Sequence, residues 1–264
     1  MKNWERAFVT TVFAVLLVAS ALDARPQQQG GVPATKDLEQ IEQFLRTAEV
    51  LDVQDFSPGI TGLQKVTLAR GMTVHHAAFR YAGFDLDLKD SWMFEIAAYE
   101  IDKLLGLNMV PPTVERSVRG TRGSLQFWIE NAMSEGERLK KRIDPTHVEA
   151  WRRQIWKVRV FDQLVYNIDR NLDNLLSDEN WKVYMIGHER TFQVMPNLRD
   201  LRNLTHFSVS MMEALERLNK DNLARSCSDY LSGPEIDTVL TRRDKILEVY
   251  KQVVAEKGTW ATYP

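Results

Sequence analysis

The chain has 264 residues, a formal net charge of −2 and one cysteine, Cys227. That length accommodates one large domain or two lobes. The balanced charge argues against a nucleic-acid surface, and a lone cysteine excludes an internal disulfide framework and a thiolate zinc site; Cys227 is expected to be a small buried apolar residue.

Lys2 and Arg6 precede the apolar run 7–21 (AFVTTVFAVLLVASA), and small residues follow at Ala19, Ala21 and Ala24. Basic, apolar, then small is the order of a secretory signal, and the run falls short of the roughly twenty residues of a membrane span. Glu5 and Asp23 depart from the pattern, so an uncleaved N-terminal anchor is the alternative. The expectation is a signal peptide over 1–24, a linker over 25–36, and an exported protein in a periplasmic, extracellular or secretory-lumen space. No other segment is apolar enough to cross a bilayer.

From residue 37, DLEQIEQFLRTAEVL spaces Leu38, Ile41, Leu45 and Ala48 as one helical face, which predicts a helix over 37–51. QKVTLA (64–69) and VHHAAFRYA (74–82) predict two strands joined at Arg70-Gly71. Asp90-Ser91 then caps a helix over 92–107, whose apolar face carries Phe94, Ala97, Ala98, Ile101, Leu104 and Leu105 and which Gly106 ends. TVERSV (113–118), a Gly-Thr-Arg-Gly turn and SLQFWIE (124–130) predict a second hairpin. Beyond 131 the pattern is helical: 147–167 carries Trp151, Ile155, Val158, Phe161 and Val165 on one side, and further helices are predicted near 208–231 and 234–256. The fold class is therefore α+β with two lobes, a β-rich N-terminal lobe with a leading helix over 37–130 and an α-helical C-terminal lobe over 131–264. A cleft between lobes is where ligands bind most often.

The chemistry-bearing stretch is NIDRNLDNLL (167–176), between the 147–167 helix and the extended NWKVYMI (180–186). Asp169 and Asn174 are spaced so that an Asp can orient an attacking hydroxyl while an Asn five residues on offers its carbonyl oxygen to a metal. Asp and Asn also form ordinary turns by bonding their own backbone. His75 and His76 alternate on a strand and cannot share one metal. His147 and His206 are isolated, and Met211-Met212 reads as core.

The run Asp169-Arg170-Asn171-Leu172-Asp173-Asn174 resembles the catalytic loop of the phosphatidylinositol 3-/4-kinase-like branch of the protein-kinase-like fold, where Asp-Arg-His-x-x-Asn is typical. FEIAAYEIDKLLGLNMVPPTVER (94–116) is similar to the regulatory helix and following strand of secretory-pathway kinases related to Golgi casein kinase, and GSLQFWIENAMSE (123–135) to the strand and hinge between lobes. With a weaker glycine segment, GITG (59–62), the resemblance spans roughly residues 59–192.

The resemblance implies a catalytic Asp169, a metal ligand at Asn174, and Glu95 as the helix glutamate that pairs with a phosphate-holding Lys. It also implies a hinge at Ile129, Glu130, Asn131 and Ala132 whose backbone meets an adenine, with ATP and Mg²⁺ or Mn²⁺ as cofactors. Glu95 lies about 120° from the centre of its helix's apolar stripe, at its edge, from which it can point into a cleft; a solvated flank is the alternative.

Two positions depart from the family. Arg80 stands where the phosphate Lys belongs, and Arg is not its equivalent; Lys65, one strand back, is the other source of an ammonium, or simply points to solvent. Gly187, in Ile186-Gly187-His188, stands where an Asp should bridge metal and phosphates. His188 or Glu189 could stand in, or His188 and Arg190 could bond locally. Three readings follow: a kinase-like protein that binds a nucleotide or a protein partner with phosphotransfer impaired or lost, an active atypical kinase that phosphorylates a protein, sugar or lipid hydroxyl, or a non-catalytic helical binding protein.

Overall fold

The computed structural model describes residues 35–56, 62–81 and 91–264. The expected signal segment and nearly all of the linker lie outside the described residues, as do residues 59–61 of GITG and Asp90.

Helix α1 (Thr35–Thr47) buries Leu38 and Leu45. The expected continuation to Leu51 does not occur: Glu49–Asp55 is strand β1. Its terminator comes from far along the chain. The Arg116 guanidinium donates to the carbonyls of Leu45 (2.6 Å) and Ala48 (2.5 Å), satisfying groups the helix end leaves open. β1 then pairs with β2 (Leu63–Arg70), setting Val50 opposite Leu68 and Val53 opposite Val66.

β3 (Thr73–Arg80) returns antiparallel to β2 through a turn at Gly71-Met72. β4 (Thr113–Val118) and β5 (Thr121–Phe127) form the second hairpin. Its turn is Arg119-Gly120 rather than the four residues expected, because pairing already starts at Val118 and Thr121. Both turn residues have positive φ, 49° and 85°, the two-residue geometry that follows strand twist. The sheet order is β1-β2-β3-β5-β4, antiparallel throughout. Val66, Leu68, Ala77, Phe79 and Leu125 from the strands join Leu45 and Ala48 in its core.

α2 (Trp92–Leu105) begins where the Ser91 side chain accepts from Met93 N–H and ends at Gly106 in the left-handed region. Its expected apolar face is buried except for the half-buried Leu104, and Ile96 and Tyr99 are buried as well. The helix lies between the lobes. Phe94, Ala97, Ala98, Ile101 and Leu105 belong to the core of the helical lobe, while Tyr99 Oη and Lys103 Nζ both donate to Glu42 of α1, each at 2.9 Å.

Residues 128–132 carry the chain into the second lobe: β6 (Met133–Ser134), α3 (Glu135–Lys141), α4 (Val148–Val165), β7 (Leu175–Ser177) and β8 (Val183–Met185), the three strands forming one antiparallel sheet. β9 (Phe207–Ser208), α5 (Val209–Arg217), α6 (Lys220–Cys227), α7 (Gly233–Lys257) and β10 (Thr262–Tyr263) complete it. The single helix expected near 208–231 is two, α5 and α6. Asn219 breaks it by accepting from Asp221 and Asn222 N–H while Asn222 reaches back to the Asn219 N–H, a capping box. Met211, Met212 and Cys227 are core residues. No helix among the described residues is long and apolar enough to cross a membrane.

Gly123 on β5 sits so close to β3 that a Cβ there would come 2.2 Å from the Arg80 carbonyl oxygen. Gly123→Ala should therefore displace backbone and lower stability by about 1–3 kcal/mol in chemical denaturation. Gly233→Ala, where nothing lies within 4 Å of the added carbon, should stay within about 0.5 kcal/mol.

Candidate functional site

A cavity of about 690 Å³ opens between the sheet and the helical lobe. β3 brings Arg80 to it and α2 brings Glu95. The 128–132 crossover contributes Trp128, Ile129, Asn131 and Ala132, the loop after α4 contributes Asp169, Asn171, Asp173 and Asn174, and the segment after β8 contributes Gly187 and Glu189. Phe56 and Phe127 complete an aromatic side, with Phe56 and Trp128 ring centroids 5.7 Å apart.

The loop is built on α4. That helix stops at Tyr166, which has φ 55°, and Asn167 donates from Nδ2 to Asp162 at 3.2 Å while accepting from Asp169 N–H at 2.8 Å. Asn171 accepts from Asp173 and Asn174 N–H, and Asn174 Nδ2 donates to the Asp169 carbonyl at 3.0 Å. So the two residues the spacing singled out are tied to each other through backbone. Arg170 fixes the loop from below. It donates to Asp162 Oδ1 and Oδ2, to the carbonyls of Asn174 (2.6 Å) and Ile186 (2.7 Å), and to His188 Nε2 at 3.0 Å. Removing one member of such a buried pair strands the other, typically at 3–5 kcal/mol. Asp169 faces Arg190 at 3.9 Å.

The lobes meet across a chain of charged groups. Arg80 Nε lies 3.6 Å from Glu95 Oε1, and Arg80 Nη2 lies 3.3 Å from Glu189 Oε1. Glu95 is 5% exposed, so it is no solvated flank. It also accepts from the His188 N–H at 3.0 Å. His188 is fully buried, and that burial, with Arg170 beside it, pushes its imidazole down to about 3. Because guanidinium can only donate, Nε2 is the acceptor and the ring's proton sits on Nδ1, 3.5 Å from Glu95 Oε2. Burial first, and the neighbouring Glu95 second, raise the Glu189 carboxyl to about 7.

Gly187 has φ 70°, and a Cβ there would come 2.6 Å from Asn174 Cγ. The Asn174 amide thus fills the side from which a residue-187 carboxylate would project. Among the described residues no three His, Cys, Asp or Glu side chains form a group suited to a metal ion. A neutral amide oxygen is a poor sole ligand for Mg²⁺ or Mn²⁺, which favour carboxylate and phosphate oxygens. The donor set does not fit a metal held by the protein.

Of the remaining expected site residues, Ile129, Asn131 and Ala132 line the cavity. Glu130 is engaged by His76 Nδ1 at 2.7 Å. Lys65 is not among the lining residues; its ammonium lies over the Trp128 ring, 4.7 Å from the centroid. Sequence reasoning missed Phe56, because no strand was expected over 52–55 to lead to it, and missed Arg170 as the residue that orders the loop. Arg170 carried a signal: an Arg directly after the Asp, ahead of two buried-strand candidates.

The fold is similar to that of the proinflammatory kinase CtkA of Helicobacter pylori, with a TM-score of 0.54 at 12% sequence identity over 81% of this chain and 98% of that one. No protein-family model matches the sequence, and no curated protein sequence matches it. The chain has an α+β, two-lobed protein-kinase-like fold.

Two outcomes follow. Gly187→Ala should lose about 1–3 kcal/mol in denaturant, from left-handed strain and the contact with Asn174. The Glu189 carboxyl is raised in the folded state, so its favourable contribution is complete below pH 4.5 and lost as pH rises through about 7. Glu189→Gln should therefore match wild type near pH 5 and exceed it by about 2–3 kcal/mol at pH 8, read as the difference between the two stability curves.

Proposed function

We propose that this kinase-like protein takes a nucleotide into the interlobe cleft by its base, with phosphotransfer lost or strongly impaired. One observation carries the reading: Gly187 supplies no carboxylate where the reaction needs metal held against β- and γ-phosphates, and Asn174 occupies the adjoining space. Losing one such electrostatic group costs about 3–4 kcal/mol of transition-state stabilisation, or several hundredfold in rate. The aromatic side formed by Phe56, Phe127 and Trp128, with the aliphatic Ile129 beside it, supports binding of a planar base. ATP is the nucleotide to try first.

Two finer assignments belong to the same proposal and rest on sequence segments alone. The 94–116 and 167–176 runs support the phosphatidylinositol 3-/4-kinase-like and Golgi casein kinase-like branch, and the order of residues 1–24 supports export. The active-kinase reading draws support from the Arg80–Glu95 pair at 3.6 Å and from Asp169 in the same cleft.

Purified protein incubated with γ-labelled ATP and Mg²⁺ or Mn²⁺ should label neither itself nor casein-like or lipid acceptors. Adenosine should bind measurably by calorimetry. Label transfer that disappears in Asp169→Asn would establish the active kinase instead.

A further inference from the structure

Among the described residues, the one guanidinium that lines the cleft is already occupied. Glu189 and Glu95 both contact Arg80, at 3.3 Å and 3.6 Å. Glu189 is not a swinging arm. Its carbonyl accepts from Ser91 N–H at 3.0 Å, which anchors the loop beside the start of α2, and its side chain is only 16% exposed. Its other carboxylate oxygen, Oε2, is buried without a hydrogen-bond partner.

The surrounding charge has the same sense. Glu137, Asp169 and Asp173 also line the cavity, so its described lining carries five carboxyl groups and one guanidinium, with Glu137 paired to Lys141 at 2.6 Å and Asp169 facing Arg190 at 3.9 Å. A phosphate approaching Arg80 would have to displace one fixed carboxylate, Glu189, and meet a second, Glu95, on the same guanidinium. The opposite side of the cavity offers aromatic and aliphatic surface, which recognises a planar ligand without asking for charge.

Resting on the nucleotide reading above, we propose that Glu189 is an internal anion that occupies the phosphate position on Arg80. The cleft consequently selects a nucleoside, or a similarly uncharged planar ligand, over its phosphorylated form. Specificity of this kind is built by placing repulsion against the wrong ligand as much as attraction for the right one.

The test is calorimetric titration of the purified protein with adenosine and with ATP, with and without magnesium, at pH 8, where a carboxyl raised to about 7 is ionised. Wild type should bind adenosine at least as tightly as ATP. Glu189→Gln should raise ATP affinity about tenfold while adenosine affinity stays within about twofold. Glu189→Ala, which cannot hold Arg80 by any contact, should change the ratio in the same direction. Glu137→Gln removes an equal charge from the same cavity without touching Arg80 and should move the ratio much less.

A wild type that prefers ATP by tenfold overturns the proposal. So does an unchanged ratio in both Glu189 variants, or an equal effect from Glu137→Gln. Failure of adenosine to bind any of the proteins overturns the nucleotide reading itself, and this inference with it.

Discussion

Arg170 holds three segments of the chain in one arrangement. Its rigid fork of donors reaches the Asp162 carboxylate on α4, the Asn174 carbonyl at the end of the loop, the Ile186 carbonyl just past β8, and the His188 ring beyond it. A flexible ammonium could not satisfy these acceptors at once; a planar guanidinium with five N–H groups can. Asp169 is the residue before this anchor and Asn174 the residue whose carbonyl it grips, so the display of both in the cleft follows from it. The tautomer of His188 follows as well, since Arg170 claims its Nε2.

From that anchor the constraint crosses the cleft. His188 gives its backbone N–H to Glu95, Glu95 meets Arg80, and Arg80 meets Glu189. The sheet lobe and the helical lobe are thereby joined by charged groups across the cleft. α2 reinforces the joint, because it buries its apolar face in the helical lobe and binds Glu42 of α1 through Tyr99 and Lys103. The same fold can host unrelated chemistry when the residues at its site change. Here one end of the cleft is aromatic, while the other combines Arg80, held by Glu95 and Glu189, with a glycine at position 187.

Much of the fold was legible because its signals are local. Ser91 and Gly106 frame α2, and the apolar spacing between them is the face the structure buries. β1 was not legible. Val50 and Leu51 continue a helical spacing, and what stops the helix is Arg116 on a strand elsewhere in the sequence. The break between α5 and α6 had a local signal in the Asn219–Asn222 pair that the apolar pattern obscured. In the site, the spacing of Asp169 and Asn174 was readable from their chemistry, and Arg80 and Glu95 only through the resemblance. The meeting of Glu189 with Arg80 was beyond reading. It depends on how β3 and the segment after β8 face each other across the cleft, which no periodicity encodes.

The account rests on a cleft that accepts a base and does not assemble a metal–phosphate centre. A crystal structure of the protein with Mn²⁺ and a non-hydrolysable ATP analogue tests this most directly. The account predicts a base between Trp128 and the 129–132 segment, Arg80 still against Glu189, and no anomalous manganese signal in the cleft. A manganese ion bound by Asn174 and Glu189, with the γ-phosphate beside Asp169 and Arg80 turned onto the phosphates, would contradict it.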